Sequence, residues 1–429
     1  MDLDDEIARA WLEEADRRDR AMGDGSEPEI PAEEVFARIR RTRPAFSSAR
    51  DRNTLMIQRL TVSNYRSLGK GVTVDFGRFT ALVGPNGSGK SNVVDALRFV
   101  SDAMHMGLSG AIVERGGVGR RMKQGHPWQV SIRLDLQLDA DQDAFYLFRL
   151  SGDRLDDYVV DHEEAQVRKG TETFTYQVAR GKWLTGPPDL NPVLNEKSLS
   201  LPIIGGDARF QPLAEALLQI ALYTIFPDTL RAPQKHNLIR PMDRHGSNWA
   251  SILKDQSKET WKPELVSALH KLTGDIEGIR LNQAGGYLFV EFLHKWPEKG
   301  ESWWSEAARE SDGTLRVAGI LTALLQEPPV PVIGIEEPEL TVHPGAIPLL
   351  FDFLNQASRR SQILVTTHSP ELLDLIDVDD VRVVLRGPKG TSVARISAEQ
   401  RDAVRNKLLS LGDVLRTEGL QQELPTAAE

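Results

Sequence analysis

The stretch "GPNGSGKS" (Gly84–Ser91) decides the fold of this 429-residue chain. It matches G-x-x-x-x-G-K-[ST] and stands where that motif must stand, after the apolar run "FTALV" (Phe79–Val83) and before a helix read from about Ser91 to His105. Gly84, Gly87 and Gly89 let the backbone wrap closely round a phosphate chain, with N–H groups pointing inward at a helix N-terminus. Lys90 is expected to reach the β- and γ-phosphates, and the Ser91 hydroxyl to ligate Mg²⁺. Pro85, Asn86, Ser88 and the flanking Asn92 complete the ATP-binding loop.

A nucleotide site of this kind needs a second strand that carries a carboxylate to the metal. "PVIGIEEPEL" (Pro331–Leu340) supplies one, an apolar strand ending in two adjacent acids. Two like charges at the end of a buried strand are costly unless something demands them. Glu336 fits the Mg²⁺ shell, and Glu337 fits the base that orients and deprotonates the attacking water. Nearby Mg²⁺ and Lys90 would relieve the repulsion between the two.

Two further stretches belong to the same chemistry. "SDGTLR" (Ser311–Arg316) begins 25 residues before Glu336 (336 − 311) and opens a helix. A serine and a glycine, Ser311 and Gly313, at a helix N-terminus make a second phosphate clamp. "ILVTTHSPELL" places His368 directly after an apolar strand, where a donor could touch a γ-phosphate.

The bulk numbers set the frame. Hydrophobic residues at 40% and charged residues at 27% are ordinary for a globular protein. The absence of cysteine excludes disulfides, CxxC zinc sites and thiol nucleophiles. No stretch approaches 18 apolar residues and the N-terminus "MDLDDEIARA" is acidic, so the reading is a cytoplasmic protein without a membrane partner. A net charge of −10 argues against coating nucleic acid with the whole surface, while basic clusters at Arg38–Arg52 and in "ERGGVGRRMKQG" leave room for local DNA contact.

Five segments follow. Residues 1–50 read as an acidic helical segment with a linker. Residues 56–180 form a lobe of period-two strands around the phosphate loop ("MIQRLTVSNY", "GVTVDF", "WQVSIRLDLQL", "AFYLFRL", "YVV", "TFTYQV"). Residues 181–300 form an inserted lid or arm with helices at "PLAEALLQIALY" and "KPELVSALHKLTG" and a strand at "YLFVEFL". Residues 301–416 alternate helix and strand ("TLRVAGILTALL", "VPVIGI", "IPLLFDFLNQAS", "QILVTT"), which implies a parallel sheet with its ligand at the strand C-termini. Residues 417–429 are a tail, and the helix "AEQRDAVRNKLLSL" lies just before it. Trp303 and Trp304 suit a core or an interface, or could stack on bases.

The order of motifs resembles an ABC-type ATPase head: P-loop, S-x-G signature, acidic strand with a following Glu, switch His. "GKSN" with Asp95, and "LTVSNYRSL" (Leu60–Leu68), resemble the SMC/RecF branch. "SDGTLR…IEEPEL…HP…TTHSPELLD" is similar to small ATPases related to RecF and to the ATPase half of OLD-family nucleases. The resemblance, over about residues 56–416, implies an α/β fold in which a mixed antiparallel lobe and a parallel-sheet core flank a helical or mixed insertion. It implies a homodimer in which two heads sandwich two ATP molecules, Ser311 and Gly313 clamping the partner's nucleotide, with Arg66 near the phosphates. It also implies work on DNA, in genome maintenance or bacterial defence, with any nuclease supplied by another chain. Three departures mark a divergent and slow ATPase: Glu336 in place of the usual Asp, Asp312 in the signature, and His343 in the D-loop position. The Q-loop glutamine is open between Gln124 and Gln129. Residues 1–41, through "RAWLEEADRRDRAMGDGSEPEIPAEEVFARIR" (Arg9–Arg40), resemble a bacterial addiction-module antitoxin component, which implies a RelE-type toxin as partner and, as the alternative function, an ATP-regulated toxin-binding module.

Overall fold

The computed structural model describes residues 55–117, 128–152, 157–255, 261–295, 300–388 and 390–423. The antitoxin-like segment, the Arg38–Arg52 cluster and Gln124 lie outside these residues. The chain begins with β1 (Met56–Ser63), β2 (Val72–Asp75) and β3 (Phe79–Val83), and β3 runs into the glycine loop and then α1 (Lys90–Glu114). Helix α1 is longer than its sequence pattern, continuing past a kink at Gly107, whose φ of 79° no helix interior allows. A meander follows: β4 (Trp128–Asp139), β5 (Gln142–Gly152), β6 (Tyr158–Lys169), β7 (Glu172–Ala179) and β8 (Lys182–Thr185).

Next come α2 (Leu201–Ile204), α3 (Gln211–Leu218), β9 (Ile220–Tyr223), α4 (Pro227–Arg231), β10 (Gln234–Lys235), α5 (Trp249–Asp255) and α6 (Trp261–Thr273). Strands β11 (Ile276–Ala284), β12 (Tyr287–Lys295) and β13 (Ser302–Glu306) lead to α7 (Asp312–Leu325), β14 (Val332–Glu336), α8 (Ile347–Ala357) and β15 (Gln362–Thr367). The chain closes with α9 (Pro370–Leu373), β16 (Val381–Gly387), β17 (Gly390–Ala394), α10 (Ala398–Arg405) and α11 (Leu411–Thr417).

Two of these elements differ from the sequence pattern. "PLAEALLQIALY", expected as one helix, splits into α3 and β9, because "IALY" is buried on both faces of a sheet and short apolar runs carry no period that separates strand from helix. "AEQRDAVRNKLLSL" stops at Arg405, since Lys407 sits at φ 57° and a new cap at Ser410 starts α11.

Three sheets result. The antiparallel sheet runs β2-β1-β4-β5-β6-β7-β8. The second, β17-β16-β3-β15-β14-β9, is parallel throughout except for its β17 edge. In the third, β12 pairs with β11 on one side and with β10 and β13 on the other. Strand β9, from the stretch read as an insertion, is thus an edge strand of the parallel sheet, in register with β14 from Ile220 opposite Val332.

Alternate residues of each parallel strand feed two cores. Leu82, Val332, Leu364 and Val384 point to the core shared with α1 and the antiparallel sheet; Val83, Ile333, Val365 and Val383 point to the core built on α7 and α8. Apolar runs buried on both faces are the signature of a covered parallel sheet. The buried Gln362 side chain joins the layers, accepting from Ile57 N–H (2.8 Å) and donating to the carbonyls of Ile57 (2.8 Å) and Gly77 (2.9 Å). This arrangement brings the C-terminal ends of β3, β15, β14 and β9 side by side, where α/β sheets place their ligands.

Candidate functional site

The glycine loop begins where β3 ends and is pressed against β16 and β17. A Cβ on Gly84 would lie 2.1 Å from the Val384 carbonyl oxygen, and one on Gly89, at φ 112°, would lie 2.3 Å from Thr391 Oγ1. Thr391 donates to the Ser88 carbonyl (2.7 Å) and meets Ser67 Oγ (2.8 Å), to which Asn92 Nδ2 donates (2.6 Å). The loop is therefore held from behind by two hydroxyls and an amide.

Its open side is prepared for an anion. Helix α1 has Gly89 at its N-cap with no side-chain cap and no acid in its first turn, so no carboxylate competes for those N–H groups. Ser88 Oγ is buried without a partner. Lys90, also buried, donates Nζ to the carbonyls of Gly84 (2.7 Å) and Pro85 (3.2 Å). Burial pulls its pKa down, and the charges of Glu337 and Glu339 oppose this. These residues fit a nucleotide triphosphate.

The acidic turn after β14 is held by its neighbours on both sides. Glu337 adopts φ 47°, a left-handed conformation that costs a non-glycine residue about 1–3 kcal/mol and persists only when surroundings impose it. Here its N–H donates to Thr366 O (3.0 Å), and its carbonyl, like that of Glu336, accepts from Arg316 Nη2 (3.0 Å each). Its carboxylate Oε1 lies 3.2 Å from His368 Nδ1. Two residues that the sequence places 31 apart (368 − 337) meet as a pair at the ends of adjacent strands.

Glu336 turns elsewhere. One oxygen, Oε1, accepts from Arg98 Nη2 and from Thr224 Oγ1, both at 3.0 Å. Arg98 lies eight residues along α1 from Lys90 (98 − 90), about two turns, so it stands on the same face. A third acid is present: Glu339 is buried, accepts from the Thr367 hydroxyl, and leaves Oε2 without a partner. Burial pushes its carboxyl up, and the Thr367 bond opposes this. Mg²⁺ is commonly held by one or two protein oxygens plus substrate phosphates, and the Ser91 hydroxyl with Glu336 matches that donor set.

The other expected residues fall as follows. Arg66, at φ 50°, pairs with Asp95 of α1 (3.1 Å), which also takes the Tyr65 hydroxyl (2.6 Å) and Arg115 Nε (3.1 Å). Ser311 caps α7, accepting from Thr314 N–H (3.1 Å), and stays exposed. Gly313 is obligatory, since a Cβ would lie 2.6 Å from the Thr341 carbonyl oxygen. His343 caps a short turn by accepting from Gly345 N–H (3.1 Å). Gln129 lies exposed on β4. Trp303 stacks on His294, and Arg280 lies over Trp304.

Sequence reading missed Arg98, Thr224, Arg316 and Glu339. Arg316 and Glu339 were within quoted motifs, and Arg98 was signalled by helical spacing from Lys90. Thr224 had no local signal, because β9 brings it to Glu336 only through the sheet.

In fold, motif order and site geometry the chain is similar to SMC/RecF-like ABC-type ATPase heads. Two family models agree with this. One, described as "RecF/RecN/SMC N terminal domain", matches residues 56–115; the other, "AAA domain, putative AbiEii toxin, Type IV TA system", matches residues 235–374. Structural maintenance of chromosomes protein 4 of Caenorhabditis elegans is 40% identical over 91 residues, 20% of this chain and 6% of that protein. Chromosome partition protein Smc of Bacillus subtilis (strain 168) is 44% identical over 64 residues, 15% of this chain and 5% of its own length. The chain thus spans only about a twentieth of the curated relatives it matches. Among solved structures, an SmcHead bound to the C-winged helix domain of ScpA covers 80% of this chain and 99% of its own, at 16% identity and a TM-score of 0.48. The SMC head domain from Thermotoga maritima covers the same shares at 13% identity and a TM-score of 0.39. Among the described residues no helix is long and apolar enough to cross a membrane.

Proposed function

We propose that the chain binds and slowly hydrolyses ATP, and that two copies close on two nucleotides, each P-loop facing the other copy's Ser311 and Gly313. The observation that carries this is Glu337, held at a strained φ between Arg316 and His368 and within the electrostatic reach of Lys90. In this reading Glu337 takes the proton of the attacking water and His368 orients that carboxylate. Lys90 and the α1 N-terminus hold the phosphates. Ser91 and Glu336 hold Mg²⁺, which supplies charge neutralisation when bound. Arg98 and Thr224 fix one Glu336 oxygen. The longer side chain in place of the usual aspartate reaches both of them.

The exposed signature serine supports action in trans, since a clamp for a partner's nucleotide must face outward. The setting we propose is DNA-linked work or control of a partner effector, a separate nuclease or toxin, in genome maintenance or bacterial defence. SMC relatives favour the first setting, and the family model named for a type IV toxin–antitoxin system favours the second.

Glu337→Gln keeps the shape and removes the base. Light scattering should show this variant as a dimer with ATP and a monomer without it, while ATP turnover falls by about 10²-fold or more, the scale of a lost general base. A variant that stays monomeric at saturating ATP would sink the sandwich, and unchanged turnover would sink the assignment of the base.

A further inference from the structure

The segment just before the signature helix is tied down by residues that hydrolysis does not use. Glu310, adjacent to Ser311, is buried, and its Oε1 lies 3.0 Å from His294 Nε2. The other ring nitrogen, Nδ1, lies 2.8 Å from Asp275 Oδ2. The ring of Trp303 stacks on the imidazole at 5.3 Å and 15°. An imidazole with both nitrogens against carboxylates donates to both only as the imidazolium. From the other side Arg231, on α4, donates to the Glu310 carbonyl (3.0 Å), pairs with Asp312, and is anchored by Asp228 (2.7 Å). Ser311 thus stands between two residues, Glu310 and Asp312, that are tied down by His294 and Arg231 respectively.

We propose that His294 and Arg231 are positioning residues for the signature: they set the height and direction of the α7 N-terminus so that Ser311 and Gly313 can meet a nucleotide on a second copy. This rests on the clamp reading above. It makes the β11-β12-β13 sheet part of the clamp's support. His294 lies on β12, Trp303 on β13 and Asp275 in the turn before β11, so movement of that sheet moves the signature with it.

The test uses the full chain carrying Glu337→Gln, comparing added His294→Ala, Arg231→Met and Ser311→Arg. Two quantities are read: the dissociation constant of the ATP-bound dimer by analytical ultracentrifugation, and the affinity of the monomer for a fluorescent ATP analogue. His294→Ala and Arg231→Met should each weaken the dimer by about tenfold or more, the scale of a lost charge-assisted hydrogen bond. The monomer's nucleotide affinity should be unchanged, because its own P-loop is intact. A merely structural role would lower both together. If Ser311→Arg abolishes the dimer while His294→Ala and Arg231→Met leave it at parental strength, the inference is overturned and the clamp stands. If Ser311→Arg also leaves the dimer intact, the clamp reading fails and this inference with it. Should His294→Ala not fold, the partly exposed Arg231 decides: an unweakened dimer in Arg231→Met overturns the proposal.

Discussion

Glu336 shows how one residue can look settled in sequence and acquire a second role in space. The strand pattern gives it to the metal, whereas the fold gives one of its oxygens to Arg98 and Thr224. Arg98 and Glu336 are 7% and 14% exposed, so the pair is desolvated, and removing one partner strands the other. Arg98→Met should therefore cost about 3 kcal/mol in the absence of nucleotide. A carboxylate left without its cation binds a divalent ion more readily, so MgATP should restore part of that loss. The thermal shift on adding MgATP should be larger in Arg98→Met than in the parent. An equal or smaller shift would show that Glu336 does not face the metal.

At the scale of elements, what was legible depended on how locally each feature is written. The P-loop, the acidic turn, the signature and the switch histidine are short motifs at strand or helix ends, and each lies on the element the sequence assigned. Strand β9 was hidden, because four apolar residues after a helix continue its pattern until a sheet claims them. The braces of the site were hidden for a related reason: Thr391 is 303 positions from the Ser88 carbonyl it supports, and no periodicity encodes that. Glu163 is a second such case. A buried glutamate on β6, it accepts from the Tyr146 and Tyr176 hydroxyls (2.9 Å each) and from the N–H groups of Ser200 and Leu201 (2.5 and 2.8 Å). It holds the start of α2 on the antiparallel sheet. Burial pushes its carboxyl up against those four donors, and removing it orphans all four. Glu163→Ala should lose about 3 kcal/mol or more of unfolding free energy in denaturant titration. A loss below about 1 kcal/mol, the size of one ordinary hydrogen bond, would mean the four donors find other partners.

For the whole molecule, the proposed dimer makes each copy's signature part of the other copy's site, so a local charge on one copy tunes the assembly. His294 is the charge best placed to do so. Burial pulls its pKa down, and the bonds to Asp275 and Glu310 outweigh this, leaving it above the usual imidazole value. A group whose folded pKa is raised contributes fully below its unfolded pKa, about 6.5 for histidine, and loses that contribution as pH rises through the folded value. Above that window the neutral ring keeps one N–H, and either Asp275 or Glu310 loses its donor. ATP-driven dimerisation of the Glu337→Gln protein should therefore weaken as pH rises through the folded value. Other groups titrate as well, so the informative quantity is the ratio of dimer dissociation constants between His294→Ala and its parent at each pH. That ratio should be largest near pH 6 and shrink as pH rises, because the parent loses what the variant already lacks. A ratio that stays constant from pH 6 to 9 would mean that the bridge between the two carboxylates does not reach the signature.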